Sequence, residues 1–72
     1  MQILKTGSTG AEVALLQTAL RRAQHGGPAP DGVFGGTTKS ALQSFQRSRG
    51  LRSDGIFGAE TERVLAPWLR GY

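Results

Sequence analysis

A twelve-residue segment occurs twice in this chain, and nothing else in the sequence constrains the fold as tightly. Asp31-Gly32-Val33-Phe34-Gly35-Gly36-Thr37-Thr38-Lys39-Ser40-Ala41-Leu42 returns as Asp54-Gly55-Ile56-Phe57-Gly58-Ala59-Glu60-Thr61-Glu62-Arg63-Val64-Leu65. Asp, Gly, Phe, Gly, Thr and Leu recur in register, and Val33 is answered by Ile56. The recurring positions are turn and cap residues, so the repeat marks a duplicated unit in which a turn leads into a helix.

The 72 residues make one domain, 1–72, near the lower size at which a lone hydrophobic core suffices. A shallow groove is the most such a chain can shape, and a deep catalytic cavity is not expected. With no cysteine there is neither a disulfide framework nor a thiolate metal site. Met1 to Lys5 holds no apolar run of the signal-peptide kind, and no stretch is long enough to span a membrane. The chain is therefore expected to be excised from a longer protein, or exported by a route it does not itself encode. Its net charge of +4 favours an anionic partner without choosing among nucleic acid, anionic lipid and an acidic wall polymer.

Three helices are expected, with no strand of useful length. Thr9 to Glu12 reads as a capping box, and Val13, Leu16 and Leu20 share one face of a first helix over about residues 10–24. Gly26 and Gly27 stop it, and Pro28-Ala29-Pro30 forms a stiff connector. Asp31-Gly32 and Asp54-Gly55 are turn signals: the Asp side chain bonds backbone N–H groups just ahead, and Gly accepts a positive φ. Gly35 and Gly58 cap the second and third helices, which puts Thr38 and Thr61 where a hydroxyl reaches back toward the cap. Ala41, Leu42 and Phe45 give the second helix its apolar face, and Gly50-Leu51 is a Schellman ending. Glu60 and Glu62 suit the positive end of the third helix, whose apolar side runs through Val64, Leu65, Trp68 and Leu69. Pro67 is expected to kink or end that helix near Ala66.

In sequence order these residues form four pieces. They are Gly7-x-x-Gly10-x-x-Val13-x-x-Leu16-Gln17-x-x-Leu20, Asp31-Gly32-x-Phe34-Gly35-x-x-Thr38, Phe45-Gln46-x-x-x-Gly50-Leu51 and Asp54-Gly55-x-x-Gly58-x-x-Thr61-x-x-x-Leu65. Over about residues 4–65 the chain closely resembles the peptidoglycan-binding domain 1 family. The resemblance implies an all-α, three-helix module that binds bacterial cell wall without cutting it. Such modules are usually fused to amidases, muramidases, lytic transglycosylases, L,D-transpeptidases or phage endolysins, and raise the effective concentration of the enzyme at its polymer. It also implies action at the cell envelope or outside the cell, and no cofactor. One stretch departs from the family: Ala23 to Pro30 carries no large apolar residue where relatives often have a Gly-aromatic or Gly-aliphatic pair.

Asp31 and Asp54 could be read as a carboxylate pair for acid–base chemistry, but repetition in identical local context favours a turn role for each. Asp31, Gly32, Gly35 and Thr38, with Asp54, Gly55, Gly58 and Thr61, are accordingly read as the structural turn and cap set. His25 is the lone histidine, beside two glycines at a helix end, with no second ligand for a metal and no triad partners. Gln17 and Gln46 could meet an acetamido or peptide group of the wall polymer, yet their place beside core residues favours holding helices to turns. Tyr72 is expected to fray. For ligand contact the sequence singles out Lys39, Gln43, Arg47 and Arg63 for stem-peptide carboxylates or amides, and Trp68 for apolar contact. A monomer is expected. The alternatives are a basic helical nucleic-acid-binding domain, opposed by scattered charge and the lack of a recognition-helix turn, and a docking or propeptide module, opposed by the lack of a cysteine to aim at zinc.

Overall fold

The computed structural model describes residues 2–23, 27 and 29–69. Three α-helices make up the regular structure of those residues: α1 (Ala11–Arg22), α2 (Gly36–Ser48) and α3 (Ala59–Leu69). The all-α three-helix expectation holds. The first helix, expected over about residues 10–24, ends at Arg22 with Ala23 as its C-cap. Gln24, His25, Gly26, Pro28 and Tyr72 lie outside the described residues, and with them the glycine stop at Gly26 and the readings of His25 and Tyr72.

The core forms where the helices and the two turns meet. Val13, Leu16, Ala19 and Leu20 of α1 pack with Leu42 and Phe45 of α2 and Leu65 of α3. Each turn contributes one aromatic ring, Phe34 from the first and Phe57 from the second, both almost fully buried. The residue before each ring points the other way, so Val33 and Ile56 are exposed. The duplicated hydrophobic-Phe pair is thus a two-residue alternation, one side chain into the core and its neighbour into solvent.

The segment before α1 ties both turns together. Leu4 exchanges two backbone hydrogen bonds with Phe57, at 3.1 and 2.8 Å, and Thr9 pairs with Val33 in a second isolated bridge. Gly7 N–H donates to the Phe34 carbonyl, and Gly10 N–H to the Gly32 carbonyl. These ties explain why the expected capping box does not form. Thr9 is held in extended pairing, and the N-cap is Gly10, whose φ of 118° turns the chain into the helix. Glu12 then falls one position too early to reach back, and its Oε1 is buried with no hydrogen bond among the described residues.

The other helix ends follow local chemistry. Gly35 is the N-cap of α2, with no side-chain capping bond. At its far end Leu51 N–H donates to the Gln46 carbonyl and Gly50 N–H, at φ 73°, to the Arg47 carbonyl, the paired bonds of a Schellman motif. Pro67 neither ends nor breaks α3, which continues to Leu69. The ring removes the bond to the carbonyl four residues back, that of Arg63, and both residues are exposed, so water can satisfy that carbonyl.

Candidate functional site

Two buried glutamines organise the duplicated turns, and they do so identically. Gln17 of α1 donates through Nε2 to Asp31 Oδ1 (3.0 Å), the Val33 carbonyl (3.0 Å) and Thr38 Oγ1 (2.9 Å), and accepts at Oε1 from Gly32 N–H (3.0 Å). Gln46 of α2 makes the same four contacts, to Asp54 Oδ1, the Ile56 carbonyl, Thr61 Oγ1 and Gly55 N–H, at 2.9–3.1 Å. The amide orientation is fixed by the partners. A backbone N–H can only donate and a carbonyl can only accept, so a flipped amide would oppose both. Two amide hydrogens face three acceptors, so one of them is shared.

Within each turn the Asp closes an Asx-turn. Asp31 Oδ1 accepts from Val33 N–H and Asp54 Oδ1 from Ile56 N–H, both at 2.9 Å. The intervening glycines sit at φ 78° and 71°, where a side chain would be strained. Thr38 and Thr61 do not reach back to their helix caps, as the sequence suggested. Each is buried in the first turn of its helix and receives the Gln amide instead, because the glutamine fills the space behind the cap.

Charge enters the first clamp through Asp31. The Val33 N–H and then the Gln17 amide hold its carboxyl below the ordinary carboxylate range, with desolvation a smaller opposing effect. A folded-state value below the unfolded one means that ionised Asp31 stabilises the fold above about pH 4, and that this contribution fades as the pH falls through the folded value. Thermal midpoints for the wild type and Asp31→Asn, measured from pH 6 to pH 2.5, are expected to differ by a constant amount above about pH 4.5 and to converge below it. A gap that ignores pH would detach the carboxylate charge from the clamp.

The surface beside each turn carries an open cleft, and the clefts are built from matching positions. Asp31, Val33, Gly35, Gly36, Thr37 and Thr38 line one; Asp54, Ile56, Gly58, Ala59, Glu60 and Thr61 line the other, with Arg52 added. The residues singled out from the sequence fall in several places. Lys39, Gln43 and Arg47 run along one stripe of α2. The Lys39 stem crosses Gly55, where an added Cβ would lie 2.8 Å from Lys39 Cγ, and Gln43 Nε2 reaches the Ser53 carbonyl at 3.5 Å. The stripe therefore borders the second turn, on residues other than those that line its cleft. Arg63 and Trp68 both lie on α3, but five residues of helix separate their directions by about 140°. Trp68 is half-buried, edge-on to Phe45 with centroids 6.1 Å apart, and the Arg49 guanidinium lies over both rings at 5.1 and 5.3 Å.

Sequence reasoning counts Arg52 among the cations of the second half without choosing it for ligand contact, and gives Glu60 only a helix-end role, although the repeat held the signal: both belong to or border the second copy of a segment already recognised as duplicated. Among the described residues no group of three or more His, Cys, Asp or Glu is placed to hold a metal ion.

The chain matches the model of the family described as putative peptidoglycan binding domain over residues 9–65. It is 41% identical over 66 residues to a probable N-acetylmuramoyl-L-alanine amidase of Bacillus licheniformis, covering 89% of this chain and 19% of that protein. A spore cortex-lytic enzyme of Bacillus cereus is 39% identical over 64 residues, with 89% of this chain and 25% of the enzyme covered. Among solved structures the SleB N-terminal domain superposes with a TM-score of 0.88 at 37% identity, over 94% of this chain and 93% of that one. The chain belongs to the peptidoglycan-binding domain family, and it is a domain of the kind carried by cell-wall amidases and spore cortex-lytic enzymes. It spans about a fifth to a quarter of the length of those two curated relatives, at 19% and 25%.

Proposed function

We propose that this domain is a non-catalytic module that binds peptidoglycan as a monomer and holds a fused cell-wall hydrolase or transpeptidase on its substrate. The observation that carries the reading is the use made of the repeated polar residues. Both buried glutamines and the Oδ1 atom of each turn carboxylate are engaged in the clamps, which leaves open clefts and a charged helix stripe for recognition. A tethered module of this kind works by effective concentration: the attached enzyme meets an insoluble polymer far more often than a free one does. Relatives that act on the cell wall support a site of action at the envelope or outside the cell, and among the described residues no helix is long and apolar enough to cross a membrane.

For ligand contact, Lys39, Gln43 and Arg47 offer two cations and an amide on one face of α2, suited to stem-peptide carboxylates and amides. Arg63 and Trp68 extend the surface on α3, each in its own direction. Co-sedimentation with sacculi stripped of teichoic acid, across a salt series and beside a DNA-cellulose control, tests the reading. Retention on sacculi that survives high salt is expected. Retention only at low salt, equal on both matrices, would reduce the interaction to the net charge of +4 and sink it.

A further inference from the structure

The two repeat-related clefts share their architecture but not their chemistry. The second encloses about 430 Å³ and the first about 130 Å³. Arg52 borders the second, whereas Ala29 holds the matching position of the first unit and brings no charge. Glu60 stands in the second where the first has Thr37. Arg52 is exposed and makes no ion pair or hydrogen bond among the described residues, although Asp54 and Glu60 border the same cleft. The exposed side of Ile56 adds an apolar wall.

One open space thus presents a guanidinium, two carboxylates and an aliphatic surface. A simple anion would be drawn to Arg52 and opposed by Asp54 and Glu60; a simple cation would meet the reverse. A group bearing ammonium and carboxylate on one carbon satisfies both signs, with the carboxylate forked by Arg52 and the ammonium facing the acidic side. The aliphatic chain that carries such a head would lie on Ile56.

We propose that the cleft of Arg52, Asp54, Ile56 and Glu60 binds the zwitterionic amino-acid head of an uncrosslinked stem-peptide diamino acid, and that the first cleft does not. The assignment rests on the wall-binding reading and adds to it the part of the polymer that is recognised. It also separates this cleft from the Lys39–Gln43–Arg47 stripe, which is suited to carboxylates and amides alone. A module built this way prefers wall regions in which diamino-acid side chains are free.

The test uses sacculi whose stems carry meso-diaminopimelate, before and after N-acetylation of their free amines, with the wild type, Arg52→Ala and Thr37→Ala. Arg52→Ala is expected to weaken retention about tenfold on untreated sacculi, the scale of one lost charge-assisted pair. Thr37→Ala, the matched change in the first cleft, is expected to leave it unchanged. Acetylation is expected to weaken the wild type by a similar factor and to add little to the loss in Arg52→Ala, since one head group carries both charges. Amide shifts on titration with free meso-diaminopimelate are expected at Ile56 and Gly58 to Thr61, and not with pimelate or a 1,5-diamine. Equal retention of Arg52→Ala, indifference to acetylation, or shifts confined elsewhere would overturn the assignment while leaving wall binding intact. A wild type that fails to sediment with untreated sacculi would overturn the wall-binding reading, and the assignment with it.

Discussion

Replacing Gln46 with alanine is expected to destabilise the domain by about 3–5 kcal/mol, a large share of what a chain this size holds. The amide makes four contacts in the second turn, and Gly55 N–H and the Thr61 hydroxyl are both buried. Removing it leaves two polar groups without partners where water does not readily follow, and each such group costs about 1–3 kcal/mol. Gln46→Glu should be no milder despite its near-identical shape. A carboxylate has no hydrogen to give to Asp54, the Ile56 carbonyl or Thr61, and it brings a second negative charge against Asp54. Urea unfolding followed by circular dichroism measures both variants. A loss below about 1 kcal/mol in either would mean that the turn is held by its own Asx bond and glycine rather than by the helix behind it.

Leu4→Ala is expected to cost about 2–5 kcal/mol, although the residue sits in an irregular segment near the chain start. Its side chain is 1% exposed, against Phe57 and the α1 core, and its backbone makes the reciprocal pair with Phe57. Loosening it would also release the strap that joins the second turn to the entry of α1. Ile3 provides the internal control, since it is 65% exposed and the change to Ala should stay within about 0.5 kcal/mol. The same urea series reads both, and comparable losses at the two positions would show that the strap is not part of the core.

Much of this fold could be read from residues that act locally. The repeat located both turns, Gly50-Leu51 located the end of α2 down to its two bonds, and the heptad-like spacing of Val13, Leu16 and Leu20 located the buried face of α1. The misread positions share a cause. Thr9 and Glu12 carry a sound local cap signal, but a bridge to Val33, distant in sequence, decides what Thr9 does. Thr38 and Thr61 sit where a cap is plausible, yet a glutamine from the preceding helix reaches them first. Pro67 is a helix breaker by local rule, and it is tolerated because the carbonyl it strands lies at an exposed position. The candidate site was legible only in part. Lys39, Gln43 and Arg47 follow from helical spacing, whereas the difference in room between two clefts built at matching positions requires the packed structure.

The glutamine clamps bridge very unequal lengths of chain. Asp31 lies 14 residues beyond Gln17, and Asp54 only 8 beyond Gln46, yet the four bonds are the same to within a few tenths of an ångström. The join between helix and turn is therefore set by one side chain and not by the tether, whose closure entropy grows only as the logarithm of its length. That makes the stretch between α1 and Asp31 the natural site for grafting: a reporter or a second recognition loop spliced there would lengthen a tether whose ends are already fixed, and the second cleft, lined wholly by residues 52–61, would keep its shape.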